Sequence, residues 1–422
     1  MKCIVSIQFF VERISRMSRP AHLTRRALVA AVAGALVATL APGTPVSAAD
    51  RPFTYQVTPG TAQWRAFSGH QEMVDAVQMP DKTAAALRTP LLVDAVLAYP
   101  LLPDALAFNS VQQGFETVTA RFTGLQELLR RPDAGQELLK RYRTLNVAAR
   151  HGETLDEAAD RVMTAWKLET VLAQPQVLGT LTTAQSEELL HVGLAVHRAK
   201  QADAATYGQA SLEPTAVLLG RTLAIRENWD WSRSELLREG LQLRPGAVET
   251  TVAAVRAHLA DPSVDHPVSD DVGTLDYYST VYTPNGTPVT VITRTYELTS
   301  AEITGANNFV ADAYPSATRE RNASRKYNCH SYAWYSTSTA NNRWMNSPGD
   351  DQYWLDGSYI RWQIPYQVFP NMKLSYSSDD HSGIWVGTGR YVRSKWGQLP
   401  LMYHYWSYSP YVSTTTESYF PS

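Results

Sequence analysis

Two residues of this chain have the chemistry to open an acyl bond together. Cys329 lies in Tyr327-Asn328-Cys329-His330-Ser331-Tyr332-Ala333-Trp334-Tyr335, and His381 lies in Asp379-Asp380-His381-Ser382-Gly383-Ile384-Trp385-Val386-Gly387. The other cysteine, Cys3, sits in an N-terminal stretch that reads as a removable export signal, so Cys329 has no disulfide partner. Such a thiol is either a nucleophile or a small buried hydrophobe. Asn328 is a good N-cap, which predicts Cys329 in the first turn of a helix with Tyr332, Ala333 and Ser336 on the same face. Backbone amides at that position favour a thiolate. His381, at the entrance to a strand, is the matching base: its imidazole would take the thiol proton and return one to the leaving group.

A third group would orient the histidine. If Thr388-Gly389 is a two-residue turn between strands, Gly383 pairs with Ser394, and Ser394 lies diagonal to His381 with an acceptor to offer. A three-residue turn would present Lys395 instead, which has no acceptor. His404 on the following strand is a second possible orienter. Asp380 should face away from His381 and shape the approach to the site. His330 should point elsewhere on the helix, in a structural or rim position. The oxyanion would meet the Cys329 N–H, with Asn328 or Tyr327 as candidate side-chain donors. Cys329, His330, Asp379, His381 and His404 lack the CxxC or HxxxH spacing of a zinc site, so neither a metal nor another cofactor is expected.

The elements that must hold these residues divide the chain. Seven of the 11 Trp and eighteen of the 22 Tyr follow residue 265, whereas the part before it is rich in helix formers. Residues 261–267, with two Pro and two Asp, read as a linker. Residues 50–265 are therefore expected to be an all-helical domain. Thr154 with Glu157 and Thr182 with Gln185 are capping-box starts, and Phe115, Val118, Phe122, Leu125 and Leu129 form one helical stripe ended by Pro132. Glu188 and His191 have the spacing of a di-iron ligand pair, but no second copy exists and a solvated face is the plainer reading. Residues 266–422 are expected to begin with a hairpin turning at Asn285-Gly286, as type I′ turns favour. Thr299 with Glu302 then caps a short helix. The aromatic run Trp344, Tyr353, Trp354, Tyr359 and Trp362 fits a core better than a ligand cleft. The fold class is α+β.

Asn328-Cys329-His330-Ser331 together with Asp380-His381-Ser382-Gly383-Ile384 resembles NlpC-type and CHAP-type peptidases and amidases of the papain-like superfamily. A closer likeness is to uncharacterised secreted bacterial proteins that join Asn-Cys-His-Ser-Tyr-Ala-Trp-Tyr to Ser-Lys-Trp-Gly, here Ser394-Lys395-Trp396-Gly397. The resemblance covers roughly the last hundred residues. It implies a helix packed on an antiparallel sheet, no metal, and cleavage of peptide or amide bonds in bacterial cell wall. In those families an Asn, Gln, His or acidic residue orients the histidine, where this chain has Arg393, Ser394 and Lys395.

Residues 1–49 carry Arg25-Arg26, an apolar run from Ala27 to Ala41 and a small-residue site ending at Ala48-Ala49, the pattern of a cleaved secretion signal. The paired arginines also fit twin-arginine export. Of 38 Lys/Arg and 40 Asp/Glu, that stretch holds six and one, which leaves a net charge near −7 beyond it. An acidic chain argues against nucleic acid as a partner, and no later run is long enough for a membrane helix. The expected protein is a secreted thiol hydrolase acting on peptide or peptidoglycan-like substrate. The rival is an inactive papain-like scaffold that binds or builds.

Overall fold

The computed structural model describes residues 50–240, 246–263, 276–364, 367–376, 380–411 and 415–422. The fold is α+β, with helices first and antiparallel sheet after. The longer helices are α1 (His70–Ala76), α2 (Thr89–Leu97), α3 (Val111–Arg121), α4 (Ala134–Arg143), α5 (Leu155–Leu172), α6 (Thr183–Ala202), α7 (Gln209–Arg226), α8 (Ala247–Ala260) and α9 (Ser300–Ala313). Each capping box read from the sequence is formed. The hydroxyls of Thr154, Thr182 and Thr299 accept from the backbone three residues on, and Glu157, Gln185 and Glu302 bond back.

Two expectations need correction. The stripe from Phe115 to Leu129 is not one helix: α3 ends at Arg121, Phe122 is extended, and a short helix Thr123–Leu128 follows. The Phe122 ring folds over Gly124, where a β-carbon would lie 2.5 Å from it, so the glycine marks a tight corner. The 285–286 turn is also not type I′. The strands β1 (Tyr277–Tyr282) and β2 (Pro288–Thr293) pair with Tyr282 opposite Pro288, and of the Asn-Gly pair Gly286 alone has positive φ. Thr283 N–H donates to Thr287 O and Gly286 N–H to Thr283 O, a three-residue loop closed by a left-handed glycine.

The remaining strands are β3 (Thr318–Arg321), β4 (Arg343–Trp344), β5 (Tyr359–Arg361), β6 (Lys373–Tyr376), β7 (Ser382–Val386), β8 (Tyr391–Lys395), β9 (Leu401–Tyr405) and β10 (Thr416–Pro421). β4 joins β1 and β2 in a small sheet. The others form a seven-stranded sheet in the order β3-β9-β8-β7-β6-β10-β5, antiparallel at every pairing.

Helices and sheet share one core. The described residues, from 50 on, form one compact unit, and the largest buried cluster runs from Trp64 and Leu92 through Val162 and Val310 to Trp385 and Tyr411. Hydrogen bonds tie the halves at buried points. Trp64 Nε1 donates to Ala313 O at 2.8 Å, and Tyr314 Oη to Asp104 Oδ1 at 2.6 Å. The linker expected at 261–267 falls largely outside the described residues.

Candidate active site

Cys329 and His330 begin a short helical stretch that continues as a π turn, Ser331–Tyr335, closed by Ser336 N–H donating to Ser331 O. Asn328 caps it as expected. Its Oδ1 accepts from Ser331 N (3.2 Å) and Met345 N (3.1 Å), while its Nδ2 donates to Asn109 Oδ1 and Met345 O. These bonds occupy both ends of the amide and hold the Cys329 turn against the strand β4 edge and the helical half. A stretch this short has little macrodipole, which gives the neighbouring side chains the larger part in stabilising charge on the sulfur.

Those side chains are histidines. His330 is not the rim residue the sequence suggested: it is fully buried, and its Nδ1 lies 2.8 Å from Asp350 Oδ2 and 2.9 Å from Ser382 Oγ. Ser382 Oγ also accepts from Trp334 Nε1 at 2.9 Å. Burial alone would drive the His330 proton off. The Asp350 carboxylate and the neighbouring Cys329 sulfur outweigh it and hold the imidazole charged, well above its ordinary range. With Nδ1–H given to Asp350, the ring also meets the Cys329 side chain, and Nε2 has no partner of good hydrogen-bond geometry among the described residues.

His381 enters β7 from the preceding loop, as the sequence indicated, and is fully buried. Its ring stacks on Tyr411 with centroids 3.6 Å apart and planes 11° from parallel, and meets Tyr376 edge-on. Among the described residues neither ring nitrogen has a hydrogen-bond partner, Cys329 included. Burial, reinforced by the charge on the nearby His330, pushes the His381 imidazole well below its usual range.

The strand register follows the two-residue-turn pattern. Ile384 pairs with Arg393, which carries Gly383 opposite Ser394, and a β-carbon on Gly383 would sit 3.3 Å from that of Ser394. The Ser394 hydroxyl nevertheless does not reach His381. It lies 2.7 Å from His404 Nε2, and since His404 Nδ1 points at Tyr405 O, Nε2 is the acceptor and Ser394 the donor. Trp396 Nε1 donates back to Ser394 Oγ at 3.1 Å. Both expected orienters are thus spent on each other. Burial lowers His404 to about 4, so this pair is neutral and structural.

The rest of the Ser-Lys-Trp-Gly motif is scaffold too. Lys395 Nζ donates to the carbonyls of Ser324, Gly397 and Leu399, and burial pushes it down to about 7. Gly397, at φ +51°, lets the turn touch the Ala107 backbone. Asp380 is half-buried and close enough to Tyr376 and Tyr411 to raise them further above their normal range. Tyr327 lies under Lys395 and accepts distantly from Arg321, and the Asn328 amide is fully engaged. Asn328 therefore has no donor free for an oxyanion, whereas Tyr327 Oη only accepts, from Arg321. Asp379 lies outside the described residues, and among those described no three His, Cys, Asp or Glu cluster to hold a metal.

Asp350 is the residue sequence reasoning missed. It sits 20 positions beyond His330 in a turn, with no local pattern to mark it. The aromatic run is core: Trp344 and Tyr353 are buried, and Trp334 packs among Tyr353, Trp354, Tyr359 and Tyr419. In the helical half, Glu188 pairs with Arg143 at the surface, and Glu169 is buried against Lys200.

The site is roofed. Cys329 is 1% exposed, Tyr411 Oη donates to Ala107 O at 2.5 Å, and Phe108 packs on the Tyr411 ring. Among the described residues no helix is long and apolar enough to cross a membrane. No family model matches the chain, and neither a curated protein nor a solved structure does.

Proposed function

We propose that this protein is a thiol hydrolase for peptide or amide bonds, with Cys329 as nucleophile and His381 as general base. One observation carries the reading: two fully buried histidines flank the cysteine turn, His330 held on Asp350 Oδ2 at 2.8 Å and His381 with both ring nitrogens unpartnered among the described residues. His330, held charged by Asp350, cannot accept a proton but stabilises an adjacent thiolate. His381 is the remaining imidazole, and because burial and the charged His330 oppose its protonation it serves as base only once Tyr411 has moved off the ring. Environments that split two like groups in this way assign their acid–base roles. In the reaction the proton that Cys329 gives up in becoming a thiolate goes to His381, and the sulfur then attacks the carbonyl carbon. The protonated ring then gives that proton to the departing amine, and water releases the acyl group by the same path reversed. Substrate entry requires Tyr411 to swing off His381.

Bacterial cell-wall peptide is the substrate suggested by the likeness of the Cys329 and His381 motifs to NlpC-type and CHAP-type enzymes. We propose export through residues 1–49, which N-terminal sequencing of protein from culture medium would test: a start near Asp50 is expected, and retention of Arg25-Arg26 overturns it.

The catalytic reading is tested by the pH dependence of Cys329 alkylation with iodoacetamide. Wild type should react below about pH 7, and His381→Ala should lose that reactivity. An alkylation profile rising only above about pH 8, unchanged by His381→Ala, overturns it. Purified cell wall should release free amines with wild type and not with Cys329→Ala. The burial of Cys329 favours one rival, an idle scaffold with a structural thiol. On that reading no form of the protein cuts cell wall, even after Tyr411→Ala opens the roof.

A further inference from the structure

The roof over the candidate site belongs to a single stretch of chain. Residues 406–411 leave the end of β9 and reach the site before β10 begins at Thr416. At its sheet end this stretch is fixed by Trp406, whose N–H donates to Arg390 O at 3.1 Å and whose carbonyl accepts from Tyr376 Oη. At its far end Tyr411 covers both reacting residues. Its ring stacks on His381, and its hydroxyl is near enough to Cys329 to feel charge on the sulfur.

The groups that hold the far end down come from the helical half. Arg121, the last residue of α3, donates from Nη1 to Pro410 O at 3.1 Å, Tyr411 Oη donates to Ala107 O, and Phe108 meets the Tyr411 ring edge-on. Arg121 is half-buried. Burial disfavours its charge, while Asp104 in the helical half and Asp380 beside His381 favour it. One guanidinium thus acts on the strap, on the helical half and on the approach to the histidine. Behind Pro410 the fit is loose: a cavity of about 10 Å³, room for about one water, lies among Pro410, Val74, Val118 and Arg121. Two hydrogen bonds and a ring contact beside a void can release by a local opening, which lies below global unfolding in free energy.

We propose that residues 406–411 are an autoinhibitory strap, closed over Cys329 and His381 and latched to the helical half by Arg121 on Pro410 and by Tyr411 on Ala107. The inhibition rests on the hydrolase reading above; the latch is a matter of access to Cys329 and stands or falls without it. Iodoacetamide labelling of the full chain, read from the mass of the Cys329 peptide so that Cys3 is not counted, measures that access. Arg121→Met keeps the side-chain stem and loses the donors, and Tyr411→Phe keeps the ring and loses the hydroxyl. Each should raise the labelling rate about three- to tenfold across the pH profile, the effect of one lost hydrogen bond on the opening equilibrium. A mere change in thiol ionisation would slide the profile along the pH axis and leave its plateau where it was. Thr154→Ala, at the exposed start of α5, loses a helix cap and should leave the rate unchanged. Release of amines from cell wall should rise with labelling in the two latch variants. The latch is overturned by rates that stay at the wild-type value in both variants, or by a profile that slides without rising. It is equally overturned if Thr154→Ala speeds labelling as much, since Cys329 would then be reached by global unfolding. Faster labelling with no amine release from any form upholds the latch and rejects the hydrolase.

Discussion

At the scale of single residues, the cysteine turn is governed by two charges of opposite fate. His330 is kept protonated by Asp350, both fully buried at 2.8 Å. A histidine whose folded value lies above its unfolded one stabilises fully below about pH 6.5, and that contribution is lost as pH rises through the folded value. Asp350→Asn removes the charge and leaves an imidazole that must discharge on burial. It should cost about 3–5 kcal/mol at pH 6, as broken buried pairs do, and less in alkali. Chemical denaturation at the two pH values checks this; an equal loss at both would show that the pair matters only as packing. His404 works the other way. Burial lowers it from the ordinary 6.5 to about 4, so its neutral form stabilises above 6.5 and the contribution drains away as pH falls towards 4. The slope over that window amounts to roughly 3 kcal/mol. His404→Gln should flatten the acid limb of the melting-temperature profile, at some fixed cost from the lost Ser394 bond. A limb of unchanged slope would place acid sensitivity elsewhere, His197 and His381 being other histidines that burial pushes down.

Elements were legible where their signals are local. A capping box is four consecutive residues reading one another, so Thr154, Thr182 and Thr299 could be identified without any knowledge of the fold. Of the two β7–β8 registers left open by the sequence, pleat alone could not choose, and the strands take the one that carries Gly383 opposite Ser394. What a hydroxyl does once its strand is placed is not local: Ser394 chose His404, delivered by β9, because its lone pair and its proton both find buried partners there. Asp350 was invisible for the same reason. Asn328 shows the two kinds of information in one side chain. Its cap on Ser331 was readable, whereas its bonds to Met345 and Asn109 join positions 17 and 219 residues away. Asn328→Ala should therefore cost more than a lost cap. Four buried bonds go at once, and the loss should exceed about 2 kcal/mol against the roughly 1 kcal/mol of an exposed cap. Urea midpoints of Asn328→Ala and Thr154→Ala, the latter an exposed cap of the same kind, give the comparison, and equal shifts would reduce Asn328 to its cap.

At the scale of the whole molecule, composition suggested two domains, and the core runs through both. The reason is chemical: the helical half does not finish its own hydrogen bonding or packing. Asp104 in the 102–107 turn accepts from Tyr314 Oη of the C-terminal half on one oxygen and faces His70 Nε2 on the other, all three side chains buried. Gly397 sits so close to Ala107 that a β-carbon would lie 2.5 Å from its carbonyl carbon, and its positive φ already disfavours any side chain. Two bodies joined this way cannot part without stranding polar groups and opening apolar surface, so they should melt as one. Tyr314→Phe leaves Asp104 Oδ1 short of a donor and should lower stability by about 1–3 kcal/mol. The far-UV signal, dominated by helices, and the near-UV signal, dominated by the tryptophans after residue 265, should move down together in both wild type and variant. Separate transitions, or a variant in which the tryptophan signal alone shifts, would mean that the shared core is a contact between two independently stable domains.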